Sequence, residues 1–184
     1  AAETLRGFNG EDSLRAGSGV DQLYGGNGND RLDAGAGNDR LYGDNGDDRL
    51  AGGLGNDWLA GGRGSDIFYF DNLTGNTGYD HITDFGGGDR LFLTQRLADL
   101  DANNLIDLTD GMIDFSALDH IEVDGTNGQP VNTLAYLGTV VDDGTTYYSY
   151  GAAGGGGGGG GHFAAAALHG AADMHIDAAV AHAA

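Results

Sequence analysis

The sequence contains no cysteine and no lysine. Its eight basic residues, all arginine, stand against 28 acidic ones, for a net charge of -20. Without cysteine no disulfide supports the fold. A chain this acidic repels phosphate backbones and anionic lipid surfaces, which argues against nucleic acid and anionic membranes as partners. No apolar run is long enough to span a bilayer. No secretory signal peptide is visible and the chain starts at Ala1 rather than Met. Three readings follow: a fragment, a processed protein, or cargo for an export route that reads a C-terminal signal. Catalytic signatures are missing as well. There is no H-E-x-x-H helix, no G-x-S-x-G elbow and no phosphate loop with its lysine. The chain by itself is not expected to be an enzyme. Aromatics are scarce, and acidic chains with few aromatics are disordered unless their charges are placed to a purpose.

Placement is where this sequence is informative. From Gly7 to Tyr69 it consists of seven nine-residue units with no insertion or deletion. They are GFNGEDSLR, AGSGVDQLY, GGNGNDRLD, AGAGNDRLY, GDNGDDRLA, GGLGNDWLA and GGRGSDIFY. The fourth position is always Gly and the sixth always Asp; the eighth is Leu, and Phe in the last unit. A period held this long specifies a repeat architecture.

Each unit has two halves. The first six residues are Gly-rich and end in Asp, which argues for a tight turn, with positive φ angles and inward carbonyls, and against helix or regular strand. The last three place one large apolar side chain between two outward ones, the period of a short strand. One strand and one turn make half a coil, so two units close a circuit of eighteen residues. Leu14, Leu32, Leu50 and Phe68 then stack on one sheet, and Leu23, Leu41 and Leu59 on the opposite one. The same stacking lines up Asp12, Asp30, Asp48 and Asp66 along one edge and Asp21, Asp39 and Asp57 along the other. Bare carboxylates so close would repel strongly. A hard divalent cation between successive coils removes the conflict. Ca²⁺ suits carboxylate and carbonyl oxygens in flexible geometry. Mg²⁺ suits them less, and the units hold no Cys or His for zinc or copper.

The units resemble the RTX (repeats-in-toxin) nonapeptide G-G-x-G-x-D-x-U-x. The resemblance implies an all-β fold, a parallel β-roll of two sheets with eighteen residues per coil, with Ca²⁺ held between the loops of every second repeat. Carried over residue by residue, it implies sites between Asp12/Asp30, Asp30/Asp48, Asp48/Asp66, Asp21/Asp39 and Asp39/Asp57. Backbone carbonyls near Gly10, Gly17, Gly19, Gly25, Gly26, Gly28, Gly35, Gly37, Gly43, Gly46, Gly52, Gly53, Gly55, Gly61, Gly62 and Gly64 would complete them. The pattern departs at Phe8 and Asp44, which replace the second Gly and are expected to weaken their loops. Ala16 and Ala34 replace the first.

After Tyr69 a five-residue insertion, Phe70 to Thr74, breaks the register. Two weaker units follow, GNTGYDHIT and DFGGGDRLF, similar to the stretch after the roll in serralysin-type proteases and alginate-epimerase modules. If they continue the roll, Asp57/Asp80 and Asp66/Asp89 are further sites, for about five to seven Ca²⁺ ions in all. His81 falls at an outward position and reads as a surface residue. The outward faces also gather Tyr24, Arg40, Tyr42 and Trp58 on one sheet. That set suits either a polysaccharide or self-assembly contact or an ordinary strand surface.

Residues 1–92 thus read as the calcium-binding roll, and 93–184 as a small antiparallel β cap with a secretion-signal-like end. Strands are expected over Ile113–Phe115, His120–Val123, Asn132–Val141 and Tyr147–Tyr150, with a short helix or turn-rich segment over Leu97–Leu108. Asp119, Glu122, Asp124, Asp142 and Asp143 form either a further metal site or solvated turn carboxylates. Over residues 151–184 the Gly and Ala runs read as a linker or as placeholders for unidentified side chains. No ligand is assigned to His162, His169, His175 or His182. The resemblance implies secretion from a Gram-negative bacterium by a type I apparatus, with the module folding on Ca²⁺ and stabilising or chaperoning an upstream domain. The other readings are a subunit of a surface layer or adhesin, and the C-terminal fragment of a secreted protease, lipase or alginate epimerase.

Overall fold

A computed structural model of the chain describes residues 1–71, 78–94, 105–107, 112–116, 119–131 and 133–153. The described residues are all strand and turn, without helix. Eight strands of the roll run β1 (Thr4–Asn9), β2 (Ser13–Ser18), β3 (Gln22–Asn27), β4 (Arg31–Ala36), β5 (Arg40–Asn45), β6 (Arg49–Leu54), β7 (Trp58–Arg63) and β8 (Ile67–Phe70). Then come β9 (Tyr79–Phe85), β10 (Arg90–Leu93), β11 (Leu105–Asp107), β12 (Met112–Ser116), β13 (Asp119–Gly125), β14 (Thr133–Asp142) and β15 (Thr145–Ala152).

The chain alternates between two sheets. One has the order β1-β3-β5-β7-β9-β13-β12 and the other β11-β14-β15-β10-β8-β6-β4-β2. Within the roll every pairing is parallel and couples positions one coil apart. Leu14, Leu32, Leu50 and Phe68 are successive partners, as are Leu23, Leu41 and Leu59. The insertion does not disturb this register: Leu59 pairs with Ile82 and Phe68 with Leu91. Of the inserted residues, 72–74 lie outside the described ones.

Strand β8, before the insertion, has four residues, and strands β1–β7 are six residues long where the nonapeptide predicts three. They take in the first three positions of the next unit, so that Phe8 pairs with Gly26 and Gly35 with Gly53. A Gly-rich segment is a poor isolated strand, but here a neighbouring coil on either side supplies the whole ladder of hydrogen bonds. The turn shrinks to the fourth, fifth and sixth positions. The first-position glycines, Gly7, Gly25, Gly43, Gly52 and Gly61, accordingly lie outside the positive-φ region.

Burial alternates along each strand, with the eighth and first positions inside. Leu23, Leu41, Leu50, Leu59 and Phe68 have no exposed surface, and each such side chain contributes about 1.5–3 kcal/mol. At the open end Leu5 and Leu14 are only partly buried. The other end is closed: Ile113, Ile121, Val123, Leu134 and Tyr150 join the same core. β13 extends one sheet in parallel with β9, while β15 turns the other antiparallel against β10, and β14–β15 form a long hairpin. Leu105–Asp107 is strand, not helix, and the rest of the expected helical or turn-rich segment lies outside the described residues. So does 154–184, including the secretion-signal-like end.

Candidate metal-binding turns

Each turn carries its sixth-position Asp into the gap between coils, where a hydrogen bond repeats from coil to coil. The main-chain N–H of Asp12 donates to Oδ1 of Asp30 at 2.8 Å, Asp30 to Asp48 at 2.7 Å and Asp48 to Asp66 at 2.9 Å. On the opposite edge Asp21 donates to Asp39, Asp39 to Asp57 and Asp57 to Asp80. Asp66 donates to Asp89 across the insertion. The two acidic columns expected from the spacing therefore exist, and Asp80 and Asp89 extend them.

These hydrogen bonds use Oδ1 of every carboxylate from Asp30 on, the N–H of Glu3 uses that of Asp21, and Asp12 only donates. Oδ2 of Asp12, Asp21, Asp30, Asp39, Asp48, Asp57 and Asp66 is buried with no hydrogen-bond partner among the described residues. Asp89 differs, since its Oδ2 accepts from the N–H of Gly86 at 2.6 Å. A buried carboxylate oxygen lacking a partner costs free energy. Burial consequently raises the Asp48 carboxyl to about 6 and those of Asp57 and Asp66 to about 7. Burial also raises Asp30, Asp39, Asp84 and Asp89, against the lowering effect of their backbone donors. Carboxylates one coil away add to the rise, as Asp30 does for Asp48.

Glycine at the fourth position lets the coils close on one another. Gly37 has φ 146°, and a Cβ there would fall 1.4 Å from the carbonyl oxygen of Gly19, while one on Gly28 would fall 2.0 Å from that of Gly10. The second position takes positive φ as well in six of the seven units, Gly17 being the exception, and does so even where Gly is missing: Phe8 and Asp44 both sit at 74°. Their side chains point outward, Phe8 with 69% of its surface exposed.

Two contributions were not visible in the repeat consensus. The fifth position carries a second ladder running the other way. Oδ1 of Asn29 accepts from the N–H of Asp47, Asn38 from Asn56 and Asp47 from Ser65. The signal was the Asn or Asp at that position in four of seven units, Asn29, Asn38, Asp47 and Asn56. Asp84 is the other. It accepts from the N–H groups of Gly61 at 3.0 Å and Gly62 at 2.9 Å, where a plain repeat has glycine.

The donor set in the turns is oxygen throughout: side-chain carboxylates and main-chain carbonyls. Orphaned, buried carboxylate oxygens stacked coil on coil fit a hard cation with many oxygen ligands, which is the chemistry of Ca²⁺. They do not fit zinc or copper, whose imidazole and thiolate ligands are absent from the seven turns. Residues 6–41, 42–72 and 68–94 match the family model for the RTX calcium-binding nonapeptide repeat (4 copies). No curated protein matches the chain.

Proposed function

The chain belongs, over residues 6–94, to the RTX calcium-binding nonapeptide repeats, and on that footing we propose that it is a calcium-gated folding module of a protein exported by a type I apparatus. The observation that carries this reading is the set of seven buried Oδ2 atoms without hydrogen-bond partners among the described residues. Ca²⁺ sits between Asp12/Asp30, Asp30/Asp48 and Asp48/Asp66 on one edge, and between Asp21/Asp39, Asp39/Asp57 and Asp57/Asp80 on the other. Asp66/Asp89 is the weakest pair, because Gly86 already occupies one oxygen of Asp89.

The mechanism is linkage. The folded roll binds Ca²⁺ and the open chain hardly does, so folding follows the free ion concentration. Sites of extracellular type have dissociation constants of about 10⁻⁴–10⁻³ M. At tenfold that concentration each ion contributes about 1.4 kcal/mol, and five to seven ions about 7–10 kcal/mol. That equals the whole stability of an ordinary domain. Where Ca²⁺ is scarce, repulsion along the columns holds the chain open for passage through a channel. Outside the cell the roll of residues 1–92 closes, the cap packs on its end, and an upstream domain gains a folded neighbour. The Asp side chains are engaged as ligands, which leaves no free acid–base pair in the turns.

Circular dichroism in chelator and in millimolar Ca²⁺ tests the proposal. The expected result is β structure only with the ion. Equal β content in both conditions would overturn it.

A further inference from the structure

Strands β9 and β13 pair in parallel with His81 opposite Glu122. Glu122 and Asp124, two residues apart on β13, share a face of the sheet with His81. Nε2 of His81 lies 3.0 Å from Oδ2 of Asp124, and Nδ1 lies 4.0 Å from Oε2 of Glu122. One donor atom from each of the three lies within 4.8 Å of the other two. The side chains are 19%, 37% and 20% exposed for His81, Glu122 and Asp124, so the cluster is neither solvated nor sealed. Trp58 is the register partner of His81 on β7, and the two rings lie 4.6 Å apart.

We propose that His81, Glu122 and Asp124 bind one imidazole-favouring divalent cation of the Zn²⁺ class, at a site separate from the calcium turns. The ligand chemistry separates the two. The turns offer oxygen alone, whereas an imidazole with two carboxylates suits zinc and its neighbours. Two carboxylates against one neutral imidazole also balance a doubly charged ion. Four-coordinate zinc at about 2.0–2.2 Å from its ligands holds them about 3.3 Å apart. The His81–Asp124 pair is near that spacing. Glu122, the most exposed of the three and the longest carboxylate side chain, closes the remainder by rotation. His81 and Glu122 also line an open groove of about 560 Å³ with Arg40, Trp58 and Tyr79. Solvent or a small ligand therefore reaches the fourth position. Because β9 is the last strand of its sheet within the roll and β13 belongs to the cap, the ion ties the two together independently of Ca²⁺.

The test uses the full chain in saturating Ca²⁺, with Co²⁺ as the probe. Trp58 is the only tryptophan, and a paramagnetic ion on His81 quenches it. The expected result is saturable quenching at one equivalent, reversed by Zn²⁺. His81→Asn should weaken it at least tenfold and Glu122→Gln severalfold, with the Ca²⁺-dependent circular dichroism unchanged. If His81→Asn no longer folds on Ca²⁺, Glu122→Gln, on the more exposed side chain, decides. Quenching with the same midpoint in the variants would overturn the proposal. So would its absence in the wild type at millimolar Co²⁺, which would leave His81 and Asp124 as a plain hydrogen-bonded pair.

Discussion

The main-chain N–H of Asp30 donates to Oδ1 of Asp48 one coil further on, while Oδ2 of the same carboxylate is buried with no hydrogen-bond partner among the described residues. One side chain thus does two separable things: it staples two coils and it presents an anionic oxygen to the gap between them.

Substitution can divide these tasks. Asp48→Asn keeps an oxygen for the Asp30 N–H but removes the charge. Its Ca²⁺ midpoint should rise severalfold, because two neighbouring sites share that residue, while repulsion in chelator falls. Asp48→Ala additionally strands a buried N–H, at a cost of about 1–3 kcal/mol. Calcium titrations followed by circular dichroism should rank the midpoints wild type, then Asn, then Ala. Equal midpoints for wild type and Asp48→Asn would remove Asp48 from the ligand set.

Acid should act in opposite directions with and without the ion. In the metal-free roll the carboxyls of Asp48, Asp57 and Asp66 are raised from 3.8 to about 6, 7 and 7. A raised value means the folded state prefers the proton. The resulting stability is fully present below 3.8 and is lost as pH climbs through 6 to 7. In chelator, acidification from about pH 7.5 to about pH 5 should therefore increase β structure. In calcium the same change should weaken binding, since ligands must be ionised. A pH series of dichroism spectra in both buffers measures the two slopes. Slopes of the same sign would contradict the burial argument.

Asp44 occupies a second position where its register partners, Gly26 and Gly62, have φ of 112° and 98°. Left-handed backbone costs a side-chain-bearing residue about 1–2 kcal/mol, part of which is returned by its stiffer unfolded chain. Asp44→Gly should stabilise the calcium-loaded roll by about 0.5–1 kcal/mol in urea unfolding. Phe8→Gly should gain less, being in the terminal coil. A loss of stability in Asp44→Gly would mean that its carboxylate has a role its φ does not reveal.

The β14–β15 hairpin reaches back over the outer face of the roll. Asp142 accepts from the Tyr69 hydroxyl, and Asp143 pairs with Arg31 at 2.8 Å. The Arg31–Asp143 pair is exposed, so Arg31→Ala should cost at most about 1 kcal/mol. Tyr69 packs edge-on against Phe92 and Tyr147. Tyr69→Phe keeps that packing and loses only the hydroxyl, which should cost about 1 kcal/mol. Thermal melts in calcium would show whether Tyr69→Phe matches or exceeds Arg31→Ala, and the reverse order would place the hairpin's hold on its tip.

The period of nine made the columns legible, because residues eighteen apart become neighbours whenever two units close a coil. Asp12 through Asp66 and the alternating Leu stacks needed nothing more, whereas Asp80 and Asp89, beyond the insertion, also needed the match of GNTGYDHIT and DFGGGDRLF to the unit. The reach of the strands into Gly7–Asn9 and its equivalents did not follow from composition. Local propensity argues against strand there, and only the hydrogen bonds of neighbouring coils reverse it. The reciprocal ladder of Asn29, Asn38 and Asp47 left only a trace in the sequence, Asn or Asp at the fifth position of four units, and its direction depends on which coil lies next to it.

Read alone, the chain determined its repeat, its two acidic edges and the class of ion those edges call for, since all three are periodic and periodicity survives without coordinates. Tertiary structure decided which carboxylate oxygen is spent on a neighbouring coil and which is left over. It also decided that His81 meets Glu122 and Asp124, and that a distant hairpin settles on Arg31 and Tyr69. Those pairings join residues with no common period, so only the path of the folded chain brings them together.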